Sequence, residues 1–127
     1  MFTTKIQTMN DDPFDVSADA IRNRILQRLD RLEKLREQRL EALLSRLSPQ
    51  QRDDHMRAEV RLENEMDDVE VLTLSANSRA WDFKNNENQL SKQERRDAVK
   101  SLITLVNLLD DFLRGFDADL DMLEQQQ

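Results

Sequence analysis

Apolar residues recur at helical spacing in three stretches of this chain, and polar or charged residues fill the positions between them. From Val16 to Leu47, residues Ile21, Ile25, Leu29, Leu32, Leu35, Leu40, Leu43 and Leu47 follow one another at steps mostly of three or four, with Leu26 and Leu44 widening the stripe. Such a stripe predicts one apolar face on a long helix, about residues 14–47. A weaker stripe of Met56, Val60, Met66, Val69 and Leu72, interrupted by Glu63 and flanked by Leu62, Val71 and Leu74, predicts a second helix over about 49–76. The third is the clearest: Val99, Leu102, Val106, Leu109, Leu113, Phe116, Leu120 and Leu123 alternate steps of three and four without a break, as in a heptad seam. It predicts a helix over about 92–124.

Local signals mark the joints. Ser48-Pro49-Gln50-Gln51 combines a capping serine, a proline at the first helical position and a glutamine that closes a capping box. Ser91 and Glu94 repeat the capping box ahead of the third helix. Between Asn77 and Leu90 periodicity fails and polar residues gather around Trp81 and Phe83, which predicts a loop. Residues 1–13, ending in Asp12-Pro13, carry no periodicity and read as a flexible N-terminal arm, and Phe14 staples the first helix or belongs to a docking peptide. Residues 125–127 read as a tail left by a cut end. The expectation is an all-α domain, residues 14–124, built as an antiparallel up-down three-helix bundle.

Composition narrows the function. The 127 residues suit one domain, and the absence of cysteine removes disulfides, thiol catalysis and thiolate zinc sites. A net charge of −7 opposes binding to nucleic acid phosphates or anionic lipid over most of the surface. No apolar run approaches a bilayer span, and no secretory signal opens the chain. Residues Asp15–Leu47 hold eight basic and six acidic side chains, whereas Gln50–Ala76 hold three and eight, so the first two helices are +2 and −5.

Candidate chemistry is thin. The acidic run Glu63, Glu65, Asp67, Asp68 and Glu70 lacks the pair of Glu-x-x-His motifs of a di-metal bundle, and reads as a solvated face. His55 and Glu59 have ligand spacing, but there is no second histidine to complete a zinc site. Asp117, Asp119 and Asp121 imitate a calcium loop, but Met122 stands where glycine is required. No catalytic residue, metal or cofactor is expected, and the arginines of the first helix interleave with Asp30, Glu33, Glu37 and Glu41 as a mixed solvated face. Trp81 in a polar setting needs either the bundle or a partner to cover it.

Asp12-Pro13-Phe14 before the first helix, Ala76-Asn77 with Arg79 and Trp81 after the second, and Leu90-Ser91 at the third coincide in order and spacing. Together with the acidic stretch Leu62–Val69, they resemble the N-terminal three-helix Habc domain of the syntaxin-6 family of Golgi and endosomal SNARE proteins. The resemblance covers about Asp12 to Leu113. It departs from the family pattern at Ser78, where proline is usual, in a longer and more arginine-rich first helix, and in the more apolar stretch Leu102–Leu109.

The resemblance implies a regulatory or interaction domain for vesicle fusion between endosomes and the trans-Golgi network, on the cytosolic face of those membranes. It implies a monomer that binds tethering factors such as the Golgi-associated retrograde protein complex, or cognate SNAREs. Membrane attachment would come only through a C-terminal anchor that these residues do not include. Asp12, Pro13, Phe14, Asn77, Arg79 and Trp81 are its candidate partner-binding residues. The competing expectation is a structural helical-bundle or coiled-coil subunit that self-associates through the third helix.

Overall fold

The computed structural model describes residues 13–125, and every regular element among them is helical. Helix α1 spans Ala18–Lys34, a π-helical turn spans Leu35–Leu40, and α2 spans Glu41–Arg46. Helix α3 spans Pro49–Asn86, a short 3-10 turn spans Glu87–Gln89, and α4 spans Lys92–Gln125. The expected flexible arm and Asp12 lie outside the described residues, apart from Pro13. Of the tail, so do residues 126 and 127.

The first helix begins later than its stripe suggested, at Ala18 rather than near residue 14. Ser17 caps it, its hydroxyl accepting from the Ala20 amide at 3.1 Å. Val16, just before the cap, enters the same apolar cluster as Ile21, so Val16 occupies the staple position and Phe14 only reinforces it. A step of five separates the buried residues Leu35 and Leu40, and the π turn absorbs it. An ordinary α turn advances 3.6 residues and would swing Leu40 off the core; the wider turn keeps both leucines inside.

Helix α3 differs most from expectation. It runs ten residues beyond Ala76, to Asn86, so the predicted loop over 77–90 is mostly helix. Neither glycine nor proline interrupts Asn77–Asn86, and Ser78 leaves in place the backbone donor that a proline would remove. The buried positions are also shifted in phase: Leu62, Met66, Val69, Thr73, Ala76, Ala80 and Phe83 form the inward line, while Met56 and Val60 are exposed. The buried Thr73 hydroxyl donates to the Val69 carbonyl at 2.6 Å, which satisfies it without a partner helix. Both expected capping boxes form, at Ser48/Gln51 and at Ser91/Glu94.

Helix α4 buries Val99, Leu102, Val106, Leu109, Leu113, Phe116 and Leu120, seven of the eight residues of its predicted seam, and Leu123 is half-buried. The core divides in two. Ile21, Ile25, Ala76, Ala80, Phe83, Val99, Leu102 and Val106 form one cluster; Leu32 to Leu43, Leu62 to Val69 and Leu109 to Leu120 supply the other. Gly115 interrupts neither, because it lies on the exposed side of α4.

Candidate interaction surfaces

Four arginines of the first helix are half-buried: Arg22, Arg28, Arg36 and Arg39. Three hold carboxylates from other helices. Arg28 grips Asp110 with two bonds, of 2.9 and 3.2 Å. Arg36 reaches Asp67 at 2.7 Å and Glu70 at 2.5 Å, and Arg39 reaches Asp117 and Asp121 at 2.8 and 2.6 Å. The π turn makes the last two arginines diverge, one toward α3 and the other toward α4. Partial burial opposes the charge on Arg39, but the Asp121 hydrogen bond and the Glu124 and Asp121 charges outweigh it, and the guanidinium pKa is raised.

Arg22 is the exception. It lies over the Trp81 ring, its guanidinium carbon 4.4 Å from the ring centre, and has no ion pair among the described residues. Its Nε is buried with no hydrogen-bond partner among the described residues, and so is Oδ1 of Asn77, one helical turn before Trp81. Lys84 Nζ stands 5.4 Å from the same ring and pairs with Asp19 at 2.8 Å. Trp81 is nevertheless 45% exposed, and Leu74, seven residues earlier on the same line of α3, is 47% exposed. A cation over an indole contributes about 0.5–1 kcal/mol at such exposure, so the ring is held in place but not covered.

The structure therefore brings Asn77 and Trp81 together on one helix face, where a loop was expected. Arg79, two residues from each, points around the helix and is exposed. Pro13 is exposed, whereas Phe14 is half-buried against the core with Arg96 over its ring at 5.0 Å. Phe83, grouped with Trp81 in the sequence, is 6% exposed and belongs to the core. Arg22 was missed because its role depends on the register between two helices.

A second surface lies between α3 and α4. Glu65, Asp68, Val69, Leu72 and Phe112 line a depression of about 270 Å³. Phe112 is 40% exposed, and Leu108, one turn earlier, is 41% exposed. The floor is apolar and the α3 rim acidic, and the sequence signal for it was the pair of large residues Leu108 and Phe112 lying outside the heptad seam.

No protein-family model, no curated protein and no solved structure matches this chain. Among the described residues, no three His, Asp or Glu side chains gather as metal ligands, and no helix is long and apolar enough to cross a membrane.

Proposed function

We propose that the chain is a non-catalytic protein-interaction domain, an antiparallel up-down three-helix bundle acting as the N-terminal regulatory module of a SNARE of the syntaxin-6 type. In this reading it binds a retrograde tethering complex or cognate SNAREs at trans-Golgi and endosomal membranes. The observation that carries the interaction role is the exposure of large side chains on an otherwise well-filled helical core: Trp81 and Leu74 on one seam, Leu108 and Phe112 on another. Soluble domains rarely leave such clusters without a use, and helix seams accept peptides or helices as ligands.

Ion-pair order supports the bundle. Asp19 with Lys84 and Arg36 with Asp67 run in opposite order along the first helix and α3, whereas Arg28 with Asp110 and Arg39 with Asp121 run in the same order along the first helix and α4. Burial of the α4 seam supports a monomer, because the residues that a coiled coil would offer to a second copy already pack on the chain's own helices.

The test is affinity capture from cytosol with residues 1–127, followed by mass spectrometry, alongside a solution mass. Recovery of a retrograde tether or SNAREs by a 15.0 kDa monomer is the expected result. A stable dimer that recovers only itself would replace this reading with a self-associating structural subunit.

A further inference from the structure

We infer that Arg22 and Trp81 form an anchor for an acidic, apolar segment of a protein partner, an inference that deepens the interaction-domain reading and rests on it. A carboxylate of the partner would bind Arg22, and an adjacent apolar side chain would cover Trp81 and Leu74.

Charge is the first argument. Every other half-buried arginine of the first helix is matched by carboxylates, yet Arg22 has none, and neighbouring Lys84 is already matched by Asp19. Among the described residues, Arg22 is therefore a half-buried cation of the α1–α3 seam without a carboxylate. Its Nε is buried and unpaired, while Nη1 and Nη2, also unpaired, remain open to solvent. Contact with the indole, 4.4 Å from the guanidinium carbon to the ring centre, restrains the side chain, and the two Nη groups together suit a two-pronged carboxylate bond.

Unmet polarity is the second. The Asn77 side-chain carbonyl, one helical turn before Trp81, is buried and lacks a donor among the described residues, so this stretch of the seam holds unmet polarity. Exposed apolar area is the third: Trp81 and Leu74 flank Asn77 on one line of α3. Tryptophan and arginine at the centre of a partly dry patch are the residue types that dominate binding energy at protein interfaces.

Trp81 is the chain's one tryptophan, so its fluorescence reads the site directly. The probe is a synthetic amphipathic peptide with leucines on one face and glutamates on the other, with a leucine–lysine peptide as the comparison. The glutamate peptide should shift Trp81 emission to the blue and saturate, and the lysine peptide should not. Arg22→Met and Arg22→Lys should each weaken binding about tenfold, the second because ammonium neither stacks nor forks as guanidinium does. Arg24→Met, at an exposed arginine two residues along the first helix from Arg22, should bind as the unaltered chain does, and circular dichroism should show all variants equally helical.

Equal response to both peptides, no response to the glutamate peptide up to about 1 mM, or full binding by helical Arg22→Met would each overturn the anchor. Capture of a tether from cytosol equally by Arg22→Met and the unaltered chain would overturn it too, leaving the interaction-domain reading intact. Failure of the unaltered chain to capture any protein would strike that reading instead.

Discussion

Arg28 and Asp110 join the first helix to α4 by a two-bond grip close to where the two apolar clusters meet: Arg28 lies between Ile25 and Leu32 in the chain, and Asp110 directly follows Leu109. Their side chains keep only 24% and 28% of their exposure. Planar guanidinium against carboxylate fixes the angle of both side chains, so the contact sets register between the helices as well as contributing energy. Removing either partner should destabilise by about 1 kcal/mol, more than a fully exposed pair, and a double-mutant cycle of Arg28→Met and Asp110→Ala in urea should show that most of this loss is shared. Additive losses would mean the two side chains act separately.

Leu109 is 0% exposed and its neighbour Leu108 is 41% exposed, so adjacent leucines test the phase of α4. Leu109→Asp would bury an unpaired carboxylate among Leu113, Met66 and their neighbours, and should cost at least about 4 kcal/mol, most of the stability of a marginally stable domain, so the melting temperature should collapse. Leu108→Asp should leave the far-ultraviolet circular dichroism and melting temperature nearly unchanged. The reverse pattern would place the core on the wrong face.

The contrast between α4 and α3 explains what the sequence made legible. In α4 every buried position carries a large apolar residue, so its seam can be read directly. In α3 the inward line uses Thr73, Ala76 and Ala80, whose weak hydrophobicity hides the phase, while exposed Met56 and Val60 imitate a stripe one line away. The polar residues gathered after Ala76 made 77–90 look like a loop, although no glycine or proline in Asn77–Asn86 prevents a helix. Asn77 and Trp81 could be singled out as unusual, but their meeting on one face required the helix to continue, and Arg22 could enter only through inter-helix register. The capping boxes were legible because their geometry is local.

Gly115 sits in the exposed arc of α4, and a Cβ placed on it would meet nothing within 4 Å. Gly115→Ala should therefore stabilise the protein by about 1 kcal/mol, by restricting the unfolded chain and favouring the helix. Calorimetry should register a rise of about 4 °C in melting temperature. No rise would indicate that the chain needs flexibility at this point.

Glu94 has its carboxyl pKa held below the ordinary glutamate value, first by the Ser91 backbone amide and next by the Ser91 hydroxyl. Because the folded value is the lower one, the stabilisation is present above the unfolded pKa and is lost as pH falls through the folded pKa. A carbon-detected NMR titration should find the Glu94 midpoint below that of glutamate in a peptide. Gly substituted for Ser91, written Ser91→Gly, retains the amide and should move the midpoint only part of the way back. A midpoint at the ordinary value in the unaltered chain would mean the box does not persist in solution.

The π turn offers the sharpest test of how the first helix meets its neighbours. Deleting exposed Gln38 converts the five-residue step between Leu35 and Leu40 into a step of four, which an ordinary α-helix accommodates with both leucines still inward. The residues beyond it would slide by only about 1.5 Å along the axis. Deleting exposed Glu33 instead shortens the step between buried Leu32 and Leu35 to two, and rotates one half of the first helix by about 100° relative to the other. Helix content should survive the first deletion, at a cost of roughly 1–3 kcal/mol for repacking and for the altered spacing of Arg36 and Arg39. The second should abolish cooperative unfolding, because Leu35, Leu40 and Leu43 would turn to solvent. Comparable damage from both would mean that the π turn is required for the directions of Arg36 and Arg39 themselves, and that the divergence of these two arginines, one to α3 and one to α4, holds the fold together more than the leucine stripe does.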